Sequence, residues 1–189
     1  MKPLLFLILF LPALATNAQT ETQIRAHYQD INKKITESKE QGYEGSLYCN
    51  ELVVNKNGKS WPATGTYSET TDFWYSEDPN HPENVKSKLL VLQKIDVVRK
   101  AAALTTSEEY LYLNGKLVFY FIQEVKGGVT MESRLYYNTK GLFKSSVKAN
   151  SKELTAKELR SDEYAYFNPN PVGVLSSSKK YQELFVKSM

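Results

Sequence analysis

Residues 107–125, SEEYLYLNGKLVFYFIQEV, are two apolar runs joined by Asn114-Gly115. Asn and Gly tolerate the positive φ angles of a type I′ turn, so the pair predicts a hairpin closed by a two-residue loop. In that register Leu113 faces Lys116, Tyr112 faces Leu117, Leu111 faces Val118 and Tyr110 faces Phe119. One surface would then carry Tyr110, Tyr112, Leu117, Phe119 and Phe121. The other would carry Leu111, Leu113, Val118, Tyr120 and Ile122. Both are apolar, which places the hairpin in the middle of a sheet, covered at least partly from each side.

Working outward, Gly127-Gly128 turns the chain, and residues 130–137 and 142–149 predict a second hairpin around 138–141 (NTKG). Upstream, 46–55 (SLYCNELVVN) and 64–76 (TGTYSETTDFWYS) are rich in β-branched and aromatic residues and read as strands. Asn57-Gly58 is a turn signal between them. Pro62 marks an edge or a strand entrance, since proline cannot donate to a ladder. Residues 76–83 (SEDPNHPE) read as a loop. Residues 88–104 fit two periods: Leu89, Val91, Ile95 and Val97 alternate, whereas Leu89, Leu92, Asp96 and Arg99 would share a helical face. The mixed polarity of that face favours a strand.

Before the sheet, Thr20 and Gln23 have capping-box spacing. Ile24, Tyr28, Ile31 and Ile35 recur at helical intervals, so 21–40 predicts an amphipathic helix, with Gly42 as its stop. From Asn150 to Tyr164 the chain is highly charged, and Thr155 with Glu158 could open a short helix. Residues 168–171 (NPNP) read as a rigid connector. Ser176 to Ser178 are the expected cap of a final helix whose apolar face is Tyr181, Leu184 and Phe185. The expected class is α+β: an antiparallel meander of about five to seven strands, with the N-terminal helix and a short C-terminal helix packed on it.

The first residues point to export. Lys2 is a positive n-region, 4–14 is an apolar run too short to span a bilayer stably, and Ala15 and Ala18 close small-residue cleavage sequences. Cleavage is expected after Ala18, with Ala15 as the second site. That leaves residues 19–189 as one exported, sheet-rich domain, periplasmic or secreted, with no transmembrane anchor. Losing Lys2 would leave 23 basic residues against 21 acidic ones, a net charge of +2. Charges are mixed along the chain, without the basic stripe of a nucleic-acid binder.

Residues able to carry chemistry are few. His27 and His81 are the only histidines, and neither has a second histidine or a cysteine at zinc-ligand spacing. His27 lies one step off the helical stripe, at its boundary. The loop from Asp78 to Asn84 offers oxygen atoms, but Pro82 and Glu83 occupy its fifth and sixth positions, where an EF-hand has a ligand and a glycine. Residues 42–46 (GYEGS) do not match a nucleophile elbow, and Gly127-Gly128 lacks P-loop spacing. Cys49 alternates with Leu47, Glu51 and Val53 and is expected to act as a small buried hydrophobe. Glu108-Glu109 and Asp162-Glu163 are adjacent carboxylates, whose neighbours on a strand point to opposite faces. No cofactor or metal is expected.

Aromatic side chains remain. Trp61, Tyr67, Phe73 and Trp74, with Tyr110, Tyr112 and Phe119 of the hairpin, are the candidate ligand or partner surface. Exposed, they would make a stacking platform; buried, they fill space between sheet and helix, the expected state of most of them. The reading that follows is a non-catalytic exported module that binds an envelope protein, a glycan or an apolar ligand. The alternative is a small exported hydrolase using acidic residues.

Overall fold

The computed structural model describes residues 19–42, 44–62, 65–78, 89–102 and 104–189. The expected export signal with its two expected cleavage sites, and His81 with the rest of 79–88, lie outside the described residues. Helix α1 (Glu21–Glu40) leads into β1 (Tyr48–Val54), β2 (Ser60–Trp61), β3 (Gly65–Glu77), β4 (Leu90–Ala101), β5 (Leu104–Leu113) and β6 (Lys116–Lys126). Then come β7 (Val129–Asn138), β8 (Gly141–Ala149), β9 (Lys152–Glu153) and helix α2 (Pro171–Lys187). Every described strand pairing is antiparallel, and the spatial order is β1-β3-β4-β5-β6-β7-β8-β9, with the two-residue β2 folded onto the start of β3. Seven long strands therefore make a meander, with β5 and β6 near its centre. Within the stretch that fitted two periods, Leu90–Ala101 is a strand, β4.

The turns follow their residues. Asn114 and Gly115 have φ of 52° and 72°, the left-handed pair that closes β5 onto β6. Two residues separate β7 from β8, where Asn138 Oδ1 accepts from the Lys140 N–H at 2.8 Å. The facing of the central hairpin differs from expectation. Leu113 pairs with Lys116 and Tyr112 with Leu117, but Leu111 then pairs with Phe119 and Tyr110 with Tyr120. Val118 is the extra residue of a β-bulge, and one extra residue moves every later side chain on its strand to the opposite face. Phe119 and Phe121 consequently join Leu111 and Leu113, whereas Tyr120 and Ile122 join Tyr110 and Tyr112.

Each helix covers one face. Ile24, Ile31 and Ile35 of α1 pack on Trp74, Leu111, Val118, Phe119 and Tyr136. On the other face Val174, Tyr181 and Phe185 of α2 pack on Phe73, Ile95, Tyr110, Tyr112 and Tyr137. Beside α2, Leu154 and Phe167 cover Met131 and Val147, extending that face over β7 and β8. The α1 capping box is formed as expected, Thr20 Oγ1 accepting from the Gln23 N–H and Gln23 Oε1 from the Thr20 N–H.

The start of α2 corrects the sequence reading. It begins at Pro171, not at the serines: Asn170 caps it by accepting from the Val172 N–H at 3.0 Å, and Pro171 occupies the first turn. Proline there forfeits an N–H that has no helical partner and arrives with helical φ. Ser176 to Ser178 lie inside the helix; Leu184 is exposed, and Val174 takes its place on the buried face.

Candidate functional site

The seven candidate aromatics do not form one surface. Phe73, Trp74, Tyr110, Tyr112 and Phe119 are all buried. Trp74 and Phe119 lie under α1, and Phe73, Tyr110 and Tyr112 under α2, so the sheet itself separates the two groups. Only Trp61, 44 % exposed, and half-buried Tyr67 meet near solvent, their ring centroids 5.3 Å apart. Tyr112 anchors both helices: its carbonyl accepts from His27 Nε2 of α1 at 2.9 Å, and its hydroxyl meets Ser178 Oγ of α2 at 3.0 Å. His27 thus has a structural partner on the sheet.

Two ionic clusters flank β4, one on each face. Lys94 is buried, with Nζ 2.8 Å from each of Asp96 Oδ1, Glu109 Oε2 and Asn32 Oδ1. Tyr28 of α1 donates to Glu109 at 2.8 Å and lays its ring 5.3 Å from the ammonium. Burial alone would lower the Lys94 pKa; Asp96 and Glu109 outweigh it and hold the amine charged. Burial pushes the Tyr28 hydroxyl up to about 12, with Glu109 adding to the shift. Asp72 stands opposite Asp96 across the β3–β4 ladder. Burial raises both carboxyls, and for Asp72 the negative charge of Asp96 adds to the rise.

On the α2 face Arg99 donates to Glu69 at 2.7 Å and makes close contacts with Glu108 and the Tyr181 hydroxyl. Tyr110 donates to the other oxygen of Glu108, and Tyr67 to Glu69 at 2.8 Å. Burial pushes Tyr181 up to about 12. The placement is a consequence of strand alternation: positions 94 and 99 differ by an odd number and so project to opposite faces. One strand therefore reaches α1 with a lysine and α2 with an arginine. In both clusters one cation is held by two carboxylates of the fold itself, which suits a tie between layers better than chemistry on a substrate.

A cavity of about 240 Å³ opens between α1 and β6–β7, lined by Ile24, Arg25, Tyr28, Gln29, Phe119, Phe121, Arg134 and Tyr136. Its aromatic wall is continuous, with Tyr28 edge-on to Phe119 at 5.3 Å and Phe119 against Tyr136 at 4.9 Å. Two guanidiniums border it. Arg134 lies 4.9 Å from the Phe121 ring and donates to Glu132 at 2.9 Å. Arg25 lies 5.6 Å from the Tyr136 ring and pairs with Glu21 at 2.8 Å. Of these residues, the sequence reading singled out Phe119 as a candidate surface residue, and Phe121 only as a hairpin face. The arginines carry no motif, and Phe121 reaches this wall only because of the bulge at Val118.

Cys49 packs at the margin of the α1 core, and burial pushes its thiol up to about 12, the state of an unreactive side chain. Among the described residues no group of three or more His, Cys, Asp or Glu side chains could hold a metal ion, and no helix is long and apolar enough to cross a membrane. No protein-family model, curated protein or solved structure matches this chain.

Proposed function

We propose that this chain is an exported, non-catalytic binding module whose ligand site is the cavity between α1 and β6–β7. The observation that carries the reading is the composition of that cavity. Aromatic walls are bordered by two arginines, each pinned by a carboxylate and resting on a ring, and convergent polar groups in an apolar cleft are what a small-molecule site requires. The two ionic clusters at Lys94 and Arg99 instead spend their charges on holding helices to the sheet. Export rests on Lys2, the apolar run 4–14 and the small residues ending at Ala15 and Ala18.

Two measurements test the two halves. Mass spectrometry of the protein recovered outside the cytoplasm should give a chain beginning at Gln19, or at Thr16 for the second site; an intact Met1 would refute cleavage. A fragment library followed by amide NMR should move the signals of Phe121, Arg134 and Tyr136 before any others. Absence of saturable shifts there would remove the site. A hydrolytic reading is supported by one observation, the facing Asp72 and Asp96 carboxyls, both raised by burial. It requires turnover of some ester, amide or glycoside that is abolished by Asp96→Asn in a folded protein.

A further inference from the structure

We propose that the cavity between α1 and β6–β7 takes a small planar anion, a single aromatic ring carrying one carboxylate. The inference rests on the binding-module reading and narrows it to a ligand class.

Size limits the ligand first. A cavity of roughly 150 Å³ holds a benzene molecule. At about 240 Å³ this one has room for one ring and a short polar substituent. Shape then favours a ring. Tyr28, Phe119 and Tyr136 already contact one another edge-on or tilted at 4.9 to 5.3 Å, an arrangement that a further aromatic ring can join in the same geometry.

Charge selects the anion. Arg25, Arg134 and Lys144 surround the Tyr136 end of the cavity. The carboxylates among them are Glu21, shared by Arg25 and Lys144, and Glu132, held by Arg134. Three cations therefore meet two anions at this end. At the other end, Glu109 accepts from Tyr28 and shares Lys94 with Asp96, so the negative charge there lies behind the Tyr28 hydroxyl, at the end of the cavity away from the arginines. Glu21 takes two nitrogens of Arg25 and Glu132 takes one of Arg134, out of the five N–H donors each guanidinium carries. Pinned between a ring and a carboxylate, both forks are ordered before a ligand arrives, which reduces the entropy lost on binding. Planar donors suit a planar carboxylate.

The test titrates the protein, purified as the cell makes it, with benzoate, benzyl alcohol and acetate, followed by amide NMR. Benzoate should give saturable shifts at Phe121, Arg134 and Tyr136. Benzyl alcohol, which keeps the ring, should bind at least about tenfold more weakly, the scale of a charge-assisted hydrogen bond. Acetate, which keeps the charge, should weaken by about tenfold or more through loss of the buried ring. Arg134→Gln should weaken benzoate by a similar factor and leave benzyl alcohol unchanged. Equal binding of benzoate and benzyl alcohol would overturn the anion assignment while leaving the cavity a binding site. Equal binding of acetate and benzoate would overturn the ring. If none of the three moves these signals and the broader fragment library does, the ligand class is wrong; if neither does, the binding reading fails as well.

Discussion

Replacing Lys94 by methionine removes the charge while keeping an unbranched stem of similar length. Each 2.8 Å contact to Asp96 and Glu109 corresponds to about 6 kcal/mol of gross attraction at an effective dielectric of about 20, most of it offset by taking the ions out of water. Breaking a buried pair from one side costs about 3–5 kcal/mol, because the partner charge is left behind. Asp96 and Glu109 keep 25 % and 22 % of their side-chain surface in contact with water, so hydration relieves part of the penalty. The low end, about 3 kcal/mol, is the expected loss. For a chain of this size that lowers the melting midpoint by roughly 6–12 °C.

The pH dependence of that loss identifies its cause. With the cation gone, Asp96 loses the charge that opposes the rise caused by its burial, so it titrates at higher pH folded than unfolded and folding takes up a proton. The deficit is then largest at neutral pH and shrinks as pH falls through the raised folded value of Asp96 toward about 4. Urea melts followed by circular dichroism at pH 7 and pH 4.5 measure both quantities. Neutralising the partners as well, with Asp96→Asn and Glu109→Gln beside Lys94→Met, should recover most of the stability at pH 7. A Lys94→Met protein within 0.5 kcal/mol of the parent, a figure on the order of ordinary surface substitutions, would refute the argument. So would a deficit equal at both pH values, which would point to packing alone.

Gly45→Ala should cost about 2 kcal/mol, because an added Cβ would lie 2.7 Å from the Ser38 backbone Cα, which no rotamer change can move; a chemical melt reads it, and an unchanged midpoint would count against this close approach of the β1 lead-in to α1. Asn170→Ala should destabilise by about 1 kcal/mol through loss of the α2 cap, with the same substitution at Ser176 costing less than half as much. With its thiol at about 12, Cys49 should present about a thousandfold less thiolate than an ordinary cysteine near pH 8, so labelling by a disulfide reagent should be slow until urea unfolds the protein. Rapid labelling of the native protein would show that the thiol is open to solvent.

Helix α1 and the Asn114-Gly115 turn were legible because their signals are short-range: a reciprocal cap three residues apart, a stripe at helical spacing, and two residues that tolerate positive φ. The bulge was not. Leu117-Val118-Phe119-Tyr120 is an unbroken apolar run, and nothing in it marks which residue the ladder will leave unpaired. The α2 start was visible in Asn170-Pro171 but was masked by a second Asn-Pro, which made the stretch resemble a connector. Of the cavity, Phe119 was singled out as a candidate, but its partners on that wall depend on the bulge that turned it toward α1.

By itself the sequence determined the alternation of the strands, the two terminal helices and the absence of any recognised catalytic motif, because these depend on residue types within one or two turns of chain. Tertiary structure alone decided what the charges do. Lys94 meets Asn32, and Tyr28 meets Glu109, across separations of 62 and 81 residues. It also decided that Arg25 and Arg134 border the same aromatic wall. Side chains so far apart along the chain are brought together only by strand register and helix docking, and one bulged residue in β6 was enough to change which of them meet.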